Sequence, residues 1–451
     1  MSFLCWSEGE KVLKVNRINK KFQPDCSRVI IKPHIPKDEM RIKRLVARVL
    51  DMNEEIAKSV LTNVIQSFAC RHKNIWSAFE QNYDKIKEFI PQNITVSNTK
   101  RALLGAYFSM EYSVQAAAFF NPSIVPHPDQ NNLEEGSLRF ILSFRSVGEG
   151  HISSIEFRSG CVDKNCNFTF DNAGHYAECA CTVNNQCQGT VLSDYEVQFS
   201  CNQELSEKVI YPMAKCDCNG IEDARFVKFV DDDSDVTYYA TYTAYDGVNI
   251  SPQLLETKDF INFKMSKLEG EFSKNKGMAL FPRKISGKYV MVSRVDGENL
   301  YIMTSDDIHC WQNATFLREP ENAWEFVQIG NCGSPIETDY GWILLTHGVG
   351  PMRQYCIGIT LLDIDEPSKV LNNMIEPLII PTEEEREGYV PNVVYSCGAI
   401  VHKDNLVIPY AMSDTCSGII TTSVSELFTN TEIMPSKFQS PFKQGVSTLC
   451  S

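Results

Sequence analysis

The sequence predicts an all-β main domain, a five-bladed β-propeller, preceded by an α-helical extension. Two observations carry this. Four stretches in the second half repeat one plan: an aromatic or β-branched run, a polar cluster, a second apolar run and a polar turn. They begin at Tyr238, Tyr289, Trp342 and Leu406, at offsets of 51, 53 and 64 residues. Periods of that size mark propellers and arrays, and a propeller gathers one end of each blade's inner strands on a central axis. The polar clusters Tyr245-Asp246, Arg294/Asp296/Glu298, His347/Arg353 and Ser413/Asp414 are then expected to share one pocket. The second observation is a change of hydrophobic period near residue 100, from helical spacing to β-rich runs.

The elements follow in order. Residues 1–37 read as an extended segment in which Val29–Pro36 is a strand ended by proline. Residues 38–100 read as a helical cap. Ile42, Leu45, Val46 and Val49 form one stripe, Ile56, Val60, Leu61 and Val64 a second, and Trp76, Phe79 and Ile86 a third that stops before Pro91. Residues 101–435 read as the propeller. Runs such as FILSFRS, RFVKFV and TYYATYTAY are separated by Gly, Asp and Asn turns. The stretch 107–160 supplies the fifth blade beside the four repeats. Residues 436–451 are a polar tail expected to pack across the propeller or close it.

Composition excludes several classes. The chain has 451 residues, 43% hydrophobic and 22% charged, which is globular. Its net charge of −14 argues against binding a nucleic-acid backbone. No apolar run approaches ~18 residues, so no membrane span is expected. The opening residues, MSFLCWSEGEKVLKV, lack a cationic start followed by an apolar core, which predicts no secretory signal and a cytoplasmic protein. Of the seventeen cysteines, eight fall between Cys161 and Cys218, a Cys-rich insertion. It contains two C-x-C pairs but neither a C-x2-C pair nor paired histidines, so reduced structural thiols are expected, with metal and disulfides as alternatives. Phosphate loops, dinucleotide fingerprints and nucleophile elbows are absent, and no cofactor or metal is expected.

Three polar groups stand out. In Gly220-Ile-Glu-Asp-Ala-Arg-Phe226, adjacent carboxylates and an arginine precede a β run. They form either a turn salt bridge or an acid tuned by its neighbours. In Arg145-Ser-Val-Gly-Glu149-Gly-His151, flanking glycines let backbone approach a ligand; an ordinary hairpin turn is the plainer reading. The third group is the set of repeat-end polar residues. With Tyr107, Phe120, Tyr245, Trp342, Tyr389 and Tyr395, these groups suit a sugar, whose hydroxyls need polar partners and whose C–H face packs on rings.

These segments closely resemble glycoside hydrolase family 130. The resemblance runs through Asn121-Pro-Ser, Arg145–His151, GIEDARF, TYTAYDG, NKGMALFPRK, SRVDGEN, GSPIETDYGWILLTHGVGPMR and EREGYVPNVVYSCG. It covers about Leu104 to Leu427, and the helical segment resembles the extension of longer members. It implies a five-bladed propeller that cleaves β-mannosidic bonds with inversion. Asp223 is the implied proton donor; Ala224 stands where many members have proline. Asn121, Arg145, His151, Arg225, Tyr245, Asp246, Arg294, Asp296, Tyr389 and Asn392 are the implied sugar-binding residues.

The resemblance leaves two reactions. Hydrolysis of β-1,2-linked mannosides, with Glu149 or Glu256 activating water, is favoured because the longer members resemble the chain most. Phosphorolysis to mannose 1-phosphate is the alternative, with inorganic phosphate as co-substrate held by Arg283, Lys284, His347 and Arg353. A non-catalytic carbohydrate-binding propeller is a third reading. The expected partner is a β-mannoside oligosaccharide, with no nucleic acid and no membrane; a homo-oligomer is left open.

Overall fold

The computed structural model describes residues 15–183 and 194–429. After two short N-terminal strands come four helices: α1 Glu39–Leu50, α2 Glu54–Phe68, α3 Ile75–Asp84 and α4 Asn98–Tyr107. Each start is sealed by a side chain accepting a free N–H: Asp38, Asn53, Asn74 and Ser97. The periodic apolar residues meet in one core that includes Ile42, Val46, Leu61, Phe79 and Leu104. Two details differ from expectation. The third helix ends at Asp84, not just before Pro91. Helical structure also continues to Tyr107 rather than lapsing at Lys100, because Ser97 starts a further helix there.

Everything after α4 is dominated by antiparallel ladders. The first comprises Ala118–Pro126, Leu138–Val147, Ser153–Val162 and Phe168–Phe170. In the second, Gly220–Val230, Val236–Tyr245, Ile250–Thr257 and Asn262–Lys267 lie side by side, and a parallel contact between Gly220 and Ser153 joins it to the first. The third is built on Tyr289–Ser293 and Leu300–Ser305, the fourth on Gly341–Val349 and Tyr355–Leu362, and the fifth on Asn405–Met412 and Cys416–Ser423. The four sequence repeats thus correspond to the central hairpins of ladders two to five. The Cys-rich stretch feeds the ladder edges: Tyr195–Gln198 pairs with Asn262–Lys267.

The N-terminal segment is tied down twice. Val29–Pro33 pairs with Ser109–Ser113 beside the helices, and Asn16–Arg17 pairs with Ile420 and Thr421 of the fifth ladder. The expected closing tail, residues 436–451, lies outside the described residues. No helix among the described residues is long and apolar enough to cross a membrane. Cysteines within the described residues are free thiols, and those residues hold no cluster of three or more His, Cys, Asp or Glu suited to a metal.

Candidate active site

Two bulges build the centre of the site. Strand alternation normally sends neighbouring side chains to opposite faces. In the first ladder the pairing slips between Phe120 and Ser123, and in the second between Glu222 and Arg225. Each slip leaves a non-glycine residue in left-handed backbone: Asn121 at φ 47° and Asp223 at φ 53°. Bulges re-aim side chains in this way. The two re-aimed side chains meet: Asn121 Nδ2 donates to Asp223 Oδ1 at 2.7 Å. Because of the slip, Glu222 and Asp223 both reach Arg145, which donates to Glu222 Oε1 at 2.9 Å and to Asp223 Oδ1 at 3.4 Å. Lys276 caps the other oxygen of Glu222. Arg225 does not bridge to either carboxylate. Its guanidinium donates to the Asp223 carbonyl at 2.9 Å, the Cys332 carbonyl at 3.1 Å and the Tyr395 hydroxyl at 2.7 Å.

Asn121, Arg145, Asp223, Arg225, Lys276 and Tyr395 line a cavity of about 220 Å³, with Glu222 behind Arg145 and Lys276. The fourth ladder adds Asn331 and His347. Gly330 opposite His347 leaves room for them, since a Cβ there would lie 2.5 Å from the imidazole Cε1. Arg294 enters from the end of Tyr289–Ser293 and lies 3.3 Å from His347 Nε2. Arg353 and Asp414 come from the hairpin turns of the fourth and fifth ladders. Arg145, Arg225, Lys276, Arg294 and Arg353 therefore face two lining carboxylates, Asp223 and Asp414.

Burial and charge tune the titrating groups. Burial alone would raise the Asp223 carboxyl, but Arg145, Arg225, Lys276 and the Asn121 amide together hold it below its ordinary value. Asp414 goes the other way. Its burial and the nearby Asp223 charge push it up to about 6, against the pull of Arg145 and Arg353. Burial, with Arg294 and Arg225 nearby, keeps His347 neutral far below its usual pKa. Among the described residues, the cavity lining buries Arg145 Nε, Arg294 Nε, Asn121 Oδ1, His347 Nδ1 and both ends of the Asn331 amide without a protein partner. Polar groups of this kind seek a ligand or water.

Of the residues singled out in the sequence, Asn121, Arg145, Asp223, Arg225, Arg294, His347, Arg353, Tyr395 and Asp414 line the cavity. Others lie elsewhere. Glu256 sits in the third strand of its ladder opposite Tyr239 and Lys264, away from the cavity. Glu149 is exposed, and its part in the structure is a backbone carbonyl that accepts from the Tyr112 hydroxyl at 2.9 Å. No glutamate lines the cavity among the described residues. Arg283 pairs with Glu337 and stacks on Trp342, itself fully buried in the core. Lys284 pairs with Asp231. Asp246 and Asp296 turn back on their own loops, each accepting two backbone N–H groups and an asparagine amide. Tyr245 donates to the Gly247 carbonyl, and Asn392 accepts from Arg386. His151 and Tyr389 face each other at 5.5 Å, next to the lining residue Val390.

Lys276, Asn331 and Tyr355 were not assigned to the site from sequence; Asp414 was expected in the pocket through its polar cluster, without a stated role. Lys276 had a signal, since it lies in the NKGMALFPRK segment. Asn331 had none.

Comparison with known proteins places this arrangement. The sequence model described as beta-1,4-mannooligosaccharide phosphorylase matches residues 189–432, more than half of the chain. The chain belongs to glycoside hydrolase family 130. It is 34% identical over 230 residues to a 1,2-beta-oligomannan phosphorylase of Thermoanaerobacter sp., covering 49% of this chain and 75% of that protein. It is 30% identical over 239 residues to a beta-1,2-mannobiose phosphorylase of Listeria innocua, covering 51% of this chain and 65% of the other. The solved structure of a Listeria innocua beta-1,2-mannobiose phosphorylase with beta-1,2-mannobiose is similar in fold. Its TM-score is 0.50 at 21% identity, over 70% of this chain and 92% of that one. This member of family 130 is thus an all-β enzyme with a helical N-terminal segment.

Proposed function

We propose that this family 130 member is a β-mannoside phosphorylase, built as a five-bladed propeller from Ser109 onwards with α1–α4 as an extension. One observation carries the choice of phosphorolysis: besides Arg145 and Lys276, which also pair with Glu222 behind the cavity wall, and Arg225, the cavity holds Arg294 and Arg353, with Arg294 Nε and the Asn331 amide unpartnered among the described residues. A cluster of arginines and a lysine suits a phosphate dianion. The hydrolytic reading had rested on Glu149 or Glu256, and neither reaches the cavity.

The chemistry follows from the groups present. Phosphate held by Arg294, Lys276 and Asn331 attacks the anomeric carbon while the glycosidic C–O bond breaks on the opposite face. Asp223 supplies the proton that the departing oxygen needs, directly or through a sugar hydroxyl as the family resemblance implies. The products are mannose 1-phosphate and a shortened mannoside. In the resting cavity the surrounding cations favour ionised Asp223. A phosphate dianion takes up part of that positive field, so its binding raises the Asp223 pKa and loads the acid. Calorimetry of phosphate binding in two buffers of different ionisation enthalpy should register proton uptake.

A second reading keeps hydrolysis. Asp414 is a second carboxylate in the same cavity, and an inverting hydrolase needs such a pair. One experiment separates the two. Purified protein is incubated with β-1,2- and β-1,4-mannobiose, with and without phosphate. Mannose 1-phosphate formed only with phosphate supports the proposal; free mannose released without phosphate overturns it.

A further inference from the structure

One carboxylate stands behind the cavity wall and holds two of the cations in front of it. Glu222 Oε1 accepts from Arg145 Nη2 at 2.9 Å, and Glu222 Oε2 accepts from Lys276 Nζ. The Glu222 side chain is 12% exposed and does not line the cavity. Its two partners come from different ladders. Arg145 stands on Leu138–Val147 of the first, and Lys276 in the loop ahead of Ala279–Leu280 of the third. Glu222 itself keeps its ladder pairing with Thr243, which the slip denies to Asp223.

The two cations lead to different parts of the site. Arg145 reaches Asp223 Oδ1 with its other terminal nitrogen, at 3.4 Å. Lys276 leads to the donors proposed for phosphate. A Cβ on the next residue, Gly277, would lie 3.6 Å from Asn331 Oδ1 and 3.9 Å from Arg294 Cβ. Charge gives a reason for a carboxylate here. Arg145, Arg225, Lys276, Arg294 and Arg353 line the cavity with Asp223 and Asp414. With Glu222 counted, these cations exceed the carboxylates by two, the charge of a phosphate dianion. One further uncompensated positive charge would tighten phosphate in the ground state, which adds nothing to kcat. It would also draw the proton from Asp223.

We propose that Glu222 is a positioning residue: it contacts neither sugar nor phosphate, and through Arg145 and Lys276 it sets how strongly the positive field acts on the proton donor and on the anion. This rests on the reading of Asp223 as the acid and of Arg294, Lys276 and Asn331 as the phosphate donors. Asp223 is faced by Arg145 from the first ladder, Lys276 from the third, His347 from the fourth, and Tyr395, Cys397 and Asp414 from the fifth, with Arg225 on its own strand. Burial keeps His347, Tyr395 and Cys397 neutral. The charges acting on the acid are thus the three cations, Asp414 and Glu222.

The test is Glu222→Gln, which keeps the side chain's length and removes its charge. The fall of kcat/KM for β-mannobiose at high pH, under saturating phosphate, reads the loss of the acid's proton. In Glu222→Gln this limb should move down by about one pH unit, because Asp223 loses a neighbouring negative charge. The KM for phosphate at pH 7.5 should fall about fivefold, since one more positive charge is uncompensated. Glu222→Asp keeps the charge and should restore the limb. A merely structural residue would instead lower kcat and the melting temperature together and leave the limb in place. If Glu222→Gln does not fold, the same downward shift is read between Lys276→Gln and Lys276→Gln/Glu222→Gln, where no ammonium is left without its carboxylate. A limb unmoved by the loss of Glu222 overturns the inference, and so does a phosphate KM that rises. Mannose released by the wild-type protein without phosphate would break the phosphorylase reading instead. The limb then still tests Glu222, because any cleavage that takes its proton from Asp223 shows it.

Discussion

Two kinds of repeat-end turn can be compared. The turns at Asp246 and Asp296 read Asp-Gly-x-Asn, and each aspartate is consumed by its own loop, accepting from two backbone N–H groups and the following asparagine. The turns at Gly350–Arg353 and Ser413-Asp414 hold themselves by backbone contacts and by Ser413 donating to the Glu385 carbonyl. Their charged ends, Arg353 and Asp414, are left for the cavity. A polar residue at the end of a ladder hairpin is free for a ligand only where the turn is closed by something else.

The comparison can be broken most sharply at its centre. Asp223→Asn should lower kcat by about 10³-fold or more, within the range for a lost general acid. Asparagine tolerates left-handed backbone, so circular dichroism and melting temperature should stay near wild type. Activity near wild type would remove Asp223 from the acid role. Next comes Arg294→Ala, expected to raise the KM for phosphate by about 10²-fold and to change the KM for mannoside far less. An equal effect on both would assign Arg294 to the sugar.

Asp414 sharpens the comparison through pH. Its folded pKa, about 6, lies above that of an unfolded aspartate. The unfolded chain therefore releases this proton first, and the stability tied to protonated Asp414 is complete below about pH 4 and lost as pH rises through about 6. Relative to wild type, Asp414→Asn should gain on the order of 2–3 kcal/mol between pH 4 and pH 7.5 in urea denaturation. A difference independent of pH would mean that Asp414 is solvated. The smallest effects belong to the self-closing turns: Asp246→Ala or Asp296→Ala should lower the melting temperature only slightly and leave kcat unchanged. A tenfold drop in kcat would place those turns at the substrate.

The repeats were legible because hydrophobic alternation and turn spacing are local properties, and the four central hairpins fall where the periodicity puts them. Asp223, the proposed acid, was legible as a cavity residue through the GIEDARF segment. The cavity's other occupants were less so. Arg283 and Lys284 look like an anion site in sequence, yet Glu337 and Asp231 take them, and partners more than 50 residues apart leave no local trace. Asn331 enters the site from the end of Gln328–Asn331, beside Gly330, which leaves room for His347. Glu256 was misplaced because charge and proximity to a repeat do not fix a strand's place in its ladder; it falls in the third strand, away from the cavity.

The pairing of Asn16–Arg17 with Ile420 and Thr421 has a consequence in time. Arg17 holds Glu385, whose backbone carbonyl holds Ser413, the neighbour of Asp414. During synthesis this early strand must wait for roughly 400 further residues, about 20–80 s at ordinary elongation rates, before its partner exists. The candidate site is thus completed last, when the first and final strands of the fold meet, and a nascent chain halted before Ile420 should lack the Asp414 side of the cavity altogether.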